Sequence, residues 1–266
     1  LFDRCGVVRV DAIYDLFISA KAFATQPLPR GPRVAILTNA GGPAIQATDA
    51  TVHFGLKVAP LNEATLDSIR EVLPRGAAVS NPVDMMATGK GDNYEHCAAA
   101  MLADETVDAL LVIFVTPVML DKVAVARKIL DGVRAARAKI DVDKPVLMCV
   151  MGEAHEDPGE AVLKEAGFPV YPFPEQAIQA LSTMVRYARW LDEPEGEVPY
   201  LDVDAERVWR LLDDAPDGWL DTDTAIQVLQ AYGITVMPSR VVDDLEGAVD
   251  FLRQQDHPVA LKVESD

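Results

Sequence analysis

Apolar positions along this chain fall into short runs separated by longer amphipathic segments, most regularly between residues 33 and 193. The runs at 34–37, 107–115 and 145–151 are continuous rather than alternating, which is typical of strands buried on both faces of a parallel sheet. Two further short runs, at 56–61 and 169–172, predict a second strand and an edge strand. The intervening segments predict helices. One follows the first strand and ends near residue 54, and the others span 63–73, 94–102, 120–139, 159–166 and 175–191.

This alternation of strand and helix is the pattern of an α/β domain. Parallel strands need crossover connections, and helices at this spacing cover both faces of the sheet. We therefore predict a flavodoxin-like, doubly wound parallel sheet over residues 31–193.

The first 30 residues differ from this central part. Residues 6–10 predict a short strand, the segment after it predicts an amphipathic helix, and QPLPRGP at 26–32 is a proline-rich linker. The chain also starts without Met and in mid-pattern. We therefore interpret residues 1–30 as the tail of a preceding domain with its linker, and the chain as part of a longer protein.

Acidic and proline-punctuated residues follow the central domain. DEPEGEVP at 192–199 opens a predicted linker, 194–220, which includes one helix at 200–212. Residues 221–266 predict a truncated α+β domain, because their elements are too few to close a core. Those elements are helices at 222–233 and 245–254 and strands at 235–242 and 259–263.

Composition narrows the class of partner. The chain has 266 residues, of which 50% are hydrophobic, so it can bury a substantial core. Its net charge of −18 argues against nucleic acid or an anionic membrane as the main partner, because either surface would repel it. No apolar run approaches the ~18 residues that cross a bilayer. Widely spaced Cys5, Cys97 and Cys149 fit a reduced, cytoplasmic protein, with Cys97 and Cys149 as core residues.

A glycine turn stands between the first predicted strand and its helix. Gly41 and Gly42 allow a turn that side chains would block, and Pro43 suits the first helical position, where its missing N–H costs nothing. Such a helix start presents free N–H groups and the positive end of a dipole, so Asn39, Ala40, Gly41, Gly42 and Pro43 form a candidate phosphate or carboxylate site. The alternative is purely structural, because any doubly wound sheet begins with strand, turn and helix.

A second candidate lies in the loop 74–91, which contains SNPVD. Asn81, Pro82 and Asp84 place an amide, a rigid ring and a carboxylate at the expected carboxyl edge of the sheet, where ligands of parallel sheets bind. The alternative for Asp84 is that it only ties the loop by accepting backbone N–H bonds. The next two strands end at less distinctive residues, which are Thr116, Pro117, Gly152 and Glu153.

Lys262 stands inside an apolar run, VALKV, that we interpret as a buried strand. A lysine there is costly without an anionic partner, so it predicts contact with a phosphate. On an edge strand its head group would instead reach water.

The histidines predict no metal site, because none stands at metal-ligand spacing from another His or Cys. His155 lies between glutamates and is the one that we retain as a functional candidate. Its alternative is a solvated loop.

Two sequence motifs, which follow each other along the chain in the same order as in a known family, resemble the motifs of that family. TNAGGPAIQATDATVHFGLKVAPLNEATLDSIREVLP followed by SNPVD is similar to the domain after the phosphohistidine domain in NDP-forming (ADP-forming) acyl-CoA synthetases, relatives of succinyl-CoA synthetase. AIQVLQAYGITVMPSRVVDDLEGAVDFLRQQDHPVALKV is similar to the start of that family's ATP-grasp domain, and the opening of the chain resembles the junction before them. The resemblance covers nearly the whole chain.

The resemblance implies a parent enzyme that converts acyl-CoA, phosphate and ADP into acid, CoA and ATP, reversibly, through an acyl phosphate and a phosphohistidine. It implies ATP or ADP with Mg as cofactors, CoA as a substrate, and partners in other domains of the same protein or in a homo-oligomer. The turn at 39–43 would match the helix start that steadies the phosphoryl group, and Asn81, Pro82 and Asp84 would match the neighbouring loop. Lys262 would match a lysine that contacts nucleotide phosphates.

The family's phosphohistidine, in an SHTG-like motif, would precede residue 1, and the metal-binding carboxylates would follow residue 266. We therefore predict that this chain alone makes no ATP from acyl-CoA, and that no cofactor is found bound to it apart from phosphate or sulfate. Two alternatives stay open at this point. One is an acyl-CoA- or nucleotide-sensing regulatory region of a protein lysine acetyltransferase, and the other is a free-standing flavodoxin-like binding module.

Overall fold

A computed structural model describes residues 2–116, 121–152, 157–194, 196 and 200–263. The chain divides into two compact units, Leu1–Pro194 and Glu195–Asp266. In the described residues, no helix is both long and apolar enough to span a lipid bilayer.

In its described residues, the first unit contains a six-stranded sheet. The strands are β1 (Arg33–Thr38), β2 (Lys57–Val58), β3 (Val83–Asp84), β4 (Ala109–Val115), β5 (Val146–Met151) and β6 (Val170–Tyr171). They all belong to one sheet. Its order is β2-β1-β4-β5-β6, with β3 pairing the end of β1, and every pairing between strands is parallel. The continuous apolar runs of the sequence form the central strands β1, β4 and β5, as predicted.

Helices cover both faces of this sheet. They are α1 (Ile13–Thr25), α2 (Gly41–His53), α3 (Glu63–Val72), α4 (Gly91–Ala103), α5 (Lys122–Arg137), α6 (Pro158–Glu165) and α7 (Pro174–Asp192). Val34 and Ile36 of β1 point into a core shared with α1, α2 and α7, whereas Ala35 and Leu37 point into a second core shared with α3 to α6. Both cores are fully enclosed, which explains why β1 is apolar at successive positions, and the doubly wound prediction is confirmed.

Two predicted strands of this unit differ from the structure. Residues 6–10 form no strand, and β2 is limited to Lys57–Val58 instead of 56–61. Ala59 N still donates to Val34 O at 2.9 Å, but Pro60 follows and has no N–H to continue the ladder. The side chain of Asn81 then takes the place of the missing strand, as described below.

The side chain before α3 does not cap that helix. Asn62 occupies the N-cap position without a side-chain cap hydrogen bond. Its backbone N and its Nδ2 instead donate to the carboxylate of Asp104, at 2.9 and 3.1 Å. Burial alone raises the pKa of Asp104, but hydrogen bonds from Thr106, Thr65 and Asn62 outweigh it and lower that pKa.

The second unit contains α8 (Ala205–Asp213), α9 (Thr222–Ala231) and α10 (Leu245–Arg253). Aspartates at the N-caps accept backbone N–H bonds from the residues three positions on, so all three helix starts are closed by side chains. The strands predicted at 235–242 and 259–263 are absent from the described residues of this unit. An extended segment becomes a strand only when another pairs with it, and this part of the chain provides no partner.

Candidate functional site

The carboxyl edge of the sheet brings both sequence-predicted loops of the first unit together. Thr38, the last residue of β1, pairs in register with Asp84 of β3, and Met85 N donates to Thr38 O at 2.9 Å. The glycine turn after β1 and the SNPVD loop are therefore neighbours in space, at the edge where parallel sheets bind ligands.

The start of α2 is open. The helix begins at Gly41, so Pro43 is its third residue rather than its first, and Ala40 at the N-cap makes no side-chain cap hydrogen bond. Pro43 has no N–H, and Ala44 N already donates to Ala40 O, which leaves the N–H groups of Gly41 and Gly42 for a ligand. A Cβ on Gly42 would meet nothing within 4 Å. This geometry fits an anion at the positive end of the helix.

Asp84 borders this opening. Its Oδ1 accepts from Met86 N at 2.8 Å, which fixes the orientation of the carboxylate. Its Oδ2 lies 3.3 Å from the position of a Cβ on Gly41, so the glycine lets a carboxylate approach the helix start. The predicted loop-tying role of Asp84 thus accounts for one of its two oxygens. The other faces α2.

The two asparagines hold the edge together through their amides. Asn81 donates from Nδ2 to Val34 O at 2.9 Å and to Ala59 O at 3.0 Å, and its Oδ1 accepts from Ile36 N at 2.9 Å. It therefore joins β1 to the segment after β2 where the ladder stops. The peptide bond from Asn81 to Pro82 is cis.

Asn39 joins two strand ends in a similar way. It exchanges two hydrogen bonds with Val115, donating from Nδ2 to the carbonyl O and accepting at Oδ1 from N, both at 2.9 Å. Its side chain is buried between the ends of β1 and β4. Phosphate contact by the Asn39 or Asn81 side chain stays a prediction, since both amides already bind backbone.

An ion pair at the same edge was missed by the sequence analysis. Lys122 Nζ lies 2.8 Å from Asp157 Oδ2, and Asp157 Oδ1 caps α6 by accepting from Gly159 N at 2.8 Å. The signal was present as Asp-Pro-Gly, since an aspartate before a proline at the first helical turn is a typical helix start. Pro117, Glu153 and His155 lie outside the described residues.

Lys262 lies in the second unit and is exposed, so the prediction of a buried strand around it is wrong. Its neighbours Leu261 and Val263 are 82% and 93% exposed, because no described strand covers them. Lys262 and Arg240 nevertheless line one pocket of about 350 Å³, which offers two cations to a ligand. Its contact with a nucleotide phosphate stays a prediction that now rests on this pocket.

The described histidines have ordinary structural neighbours. His53 packs edge to face on Phe54, His96 Nε2 lies 2.9 Å from Ser68 Oγ, and His257 Nδ1 lies 2.9 Å from a carboxylate oxygen of Asp256. The described residues contain no group of three or more His, Cys, Asp or Glu that could hold a metal ion. Burial raises the pKa of the Cys97 thiol to about 12, which makes it an inert core residue.

Known protein families match both units. The Ligase-CoA domain family matches residues 34–193, which is more than half of the chain, and an ATP-grasp domain family matches residues 210–266. The α subunit of the ADP-forming acetate–CoA ligase II of Pyrococcus furiosus is 37% identical over 71% of this chain and 40% of its own length. The ADP-forming acetate–CoA ligase I of Archaeoglobus fulgidus is 29% identical over 99% of this chain and 37% of its own length.

Solved structures agree with this match. A crystal structure of a Pyrococcus horikoshii protein has a TM-score of 0.66 and 36% identity, over 72% of this chain and 43% of that one. The dinucleotide-forming acetyl-coenzyme A synthetase 1 of Ca. Korarchaeum cryptofilum, in complex with phosphate and ADP, has a TM-score of 0.66 and 29% identity, over 72% of this chain and 40% of that one. This chain thus spans about two fifths of the length of the relatives that it matches. With the sheet, the open α2 start and both family matches in agreement, the chain belongs to the NDP-forming acyl-CoA synthetase family.

Proposed function

We propose that the parent protein is an ADP-forming acyl-CoA ligase, which converts acyl-CoA, phosphate and ADP into acid, CoA and ATP reversibly. The observation that carries this proposal is the open start of α2, which stands beside the SNPVD loop in a chain of this family. The named relatives are CoA ligases, so they give no support to the acetyltransferase alternative.

In this proposal the chain supplies a phosphoryl-stabilising wall rather than the nucleophile. The N–H groups of Gly41 and Gly42 donate to phosphoryl oxygens, and the helix dipole adds positive potential at the same point. Asn39, Asn81 and Pro82 fix the loops so that the donors need no reorganisation when the charge arrives. Preorganised donors of this kind stabilise a transferring phosphoryl group.

Asp84 has a different part in this wall. Its Oδ2 is an acceptor at the start of α2, and a carboxylate repels a phosphate that lies directly against it. We therefore assign Asp84 to the donor on the other side of the phosphoryl group, an imidazole N–H of the family's phosphohistidine. A carboxylate bound to one ring nitrogen orients the ring and leaves the other nitrogen to carry the phosphoryl group.

The nucleotide belongs to the second unit in this proposal. Lys262 and Arg240 suit the phosphates of ADP, since both line one pocket and both are cations. Mg²⁺, when bound, would neutralise phosphate charge during transfer. No described carboxylate cluster fits it, so no role in its binding is given to this chain.

The proposal is tested by titrating phosphate into the chain and following backbone amides by NMR. We expect the amides of Gly41 and Gly42 to shift in a saturable way, and Gly42→Val to abolish the shift because its side chain fills the opening. Gly196→Val is the matched control, since a Cβ there also meets nothing within 4 Å. In the full-length protein Gly42→Val should abolish ATP formation from acyl-CoA. Unmoved glycine amides or full activity in that variant would exclude the phosphoryl-wall role.

A further inference from the structure

Besides the pocket of the second unit, a ligand-sized cavity lies in the first unit, between the residues before α1 and the second half of α7. Its volume is about 330 Å³, which is within the range of small-molecule sites. Residues 4–8 form one wall, and α7 forms the other with residues 186–193. Helix α7 starts just after the carboxyl end of β6 and runs back along the sheet, so this cavity is at the end of the fold away from the open start of α2.

The floor of the cavity is aromatic and aliphatic. Tyr187 and Trp190 stack with ring centroids 5.8 Å apart and an interplanar angle of 22°, and Val7 and Val8 complete the apolar surface. Val7 is 48% exposed, so part of this surface faces water. An apolar floor with stacked rings favours a flat, aromatic ligand group.

The segment before α1 is held in place against this floor. Trp190 Nε1 donates to Arg4 O at 3.3 Å, and Arg186 donates from Nη2 to Arg9 O at 3.2 Å. Gly6, at φ +69°, brings its backbone against the Trp190 ring, and a Cβ at that position would collide with the ring. The two walls are therefore fastened to each other by hydrogen bonds and by a close glycine approach.

The rim of the cavity is positive although the chain carries a net charge of −18. Among the described residues, Arg4, Arg186 and Arg189 line it against one carboxylate, Glu193. All three arginine side chains are exposed. Guanidinium groups pair with phosphate oxygens through two parallel hydrogen bonds, and they are the residues that bind phosphate with most geometric selectivity.

We propose that this cavity is a binding site for a nucleoside polyphosphate, with the base on the apolar floor and the phosphates on the arginine rim. None of its lining residues belongs to the second unit, so the site is additional to the nucleotide pocket that contains Lys262. Among the described residues that line it, Glu193 is the one carboxylate and there is no histidine, serine or cysteine, so they offer no group poised for phosphoryl transfer. The site therefore serves binding rather than catalysis.

The test uses tryptophan fluorescence on the complete 266-residue chain. Of its three tryptophans, Trp209 and Trp219 are 73% and 98% exposed, so both can be changed to Phe to leave Trp190 as the reporter. ADP should then quench the emission of Trp190 in a saturable way. Adenosine and pyrophosphate should each bind more weakly than ADP, because each meets only half of the site.

Two pairs of substitutions test where ADP binds. Arg186→Gln with Arg189→Gln should weaken ADP binding by about tenfold per arginine, since each loses a charge-assisted hydrogen bond. The matched control is Arg127→Gln with Arg134→Gln on α5, which removes the same charge outside the cavity and should leave the dissociation constant unchanged. Gly6→Ala should also weaken binding, because it displaces the wall from Trp190.

Several outcomes would overturn the inference. These are the absence of saturable quenching at millimolar ADP, an equal loss in the control pair, and adenosine or pyrophosphate binding as tightly as ADP. Lys262→Gln separates the two nucleotide sites. If it alone abolishes quenching of Trp190, ADP binds in the second unit and the cavity inference fails, while the proposed role of Lys262 stands.

Discussion

The Oδ2 atom of Asp84 lies 3.3 Å from where a Cβ on Gly41 would stand, so a carboxylate borders the positive end of α2. An anion that binds there lies close to this negative charge, and both interact with the positive end of the helix dipole. Asp84 can therefore have one of two roles. It either accepts a hydrogen bond from a neighbouring donor or contributes directly to the phosphate site.

Replacing Asp84 by Asn is expected to tighten phosphate binding at α2 about two- to fivefold, because it removes a nearby negative charge. The Asn side-chain oxygen can still accept from Met86 N, so the loop should keep its shape. The dissociation constant from the NMR titration of Gly41 and Gly42 measures the effect. Weaker binding in this variant would mean that Asp84 contributes directly to holding phosphate.

Asn81 is expected to be one of the most sensitive positions in the first unit. Asn81→Ala should lower the free energy of unfolding by about 3 kcal/mol, because it leaves Ile36 N and Ala59 O without their side-chain partner and removes one of the two donors to Val34 O. Hydrogen exchange at the Ile36 amide gives a local measurement, with protection expected to fall sharply. Asn93→Ala is the comparison, since that amide holds just Val72 O and Lys90 N at the surface side of α4, and a similar loss in both variants would contradict the role given to Asn81.

Gly132 sets the distance between α4 and α5. A Cβ there would collide with the carbonyl oxygen and backbone of Glu95, and backbone yields less readily than a flexible side chain. Gly132→Ala should therefore destabilise the first unit by about 1–3 kcal/mol although alanine is the better helix former.

Urea unfolding of Gly132→Ala should be compared with that of Gly42→Ala, where the added Cβ meets nothing within 4 Å. The control should unfold within about 0.5 kcal/mol of the parent chain. Equal stability of the two variants would show that α5 can move away from Glu95 at no cost.

The sheet and its helices could be predicted because burial on both faces leaves a direct mark in the sequence. Val34 to Leu37 are apolar at every position since β1 lies between two cores, and the same holds for Leu110 to Phe114 of β4. The positions of proline and glycine predicted the ends of these strands. The resemblance of the motifs identified the family.

The site was predictable in its parts but not in its arrangement. The turn at 39–43 and SNPVD were recognised as candidates. The hydrogen bonds by which Asn39 and Asn81 join neighbouring segments depend, however, on which backbone groups their amides face. A run such as VALKV specifies apolar character alone, and it becomes a buried strand only when other strands cover it. For Lys262 that partner is not in the described part of the chain, which is why the burial prediction was wrong.

The ion pair of Arg33 and Asp108 at the amino edge of the sheet makes the stability of the fold depend on pH. Arg33 Nε donates to Asp108 Oδ2 at 2.9 Å and its Nη2 donates to Oδ1 at 2.8 Å, while Arg33 N also donates to Oδ2 at 2.9 Å. Burial raises the pKa of Asp108, but these hydrogen bonds and the charge of Arg33 outweigh it, so the pKa in the folded chain is lowered.

A carboxyl group whose pKa is lower in the folded chain stabilises the fold above its unfolded pKa, which is about 3.9 for Asp. This contribution is lost as the pH falls from there through the folded pKa. Asp108→Asn should therefore lower the free energy of unfolding by about 2–3 kcal/mol at pH 7. The difference between the parent chain and the variant should shrink as the pH drops below about 4.

Urea unfolding at a series of pH values measures this difference. Asp67→Asn is the control, because Asp67 forms an exposed pair with Arg70 and should contribute less than about 1 kcal/mol at any pH. A difference for Asp108→Asn that stays constant from pH 7 to pH 2 would show that the carboxylate charge does not stabilise the fold. The hydrogen bonds that the side chain can make without its charge would then account for the whole effect, and the pKa of Asp108 would not be lowered on folding.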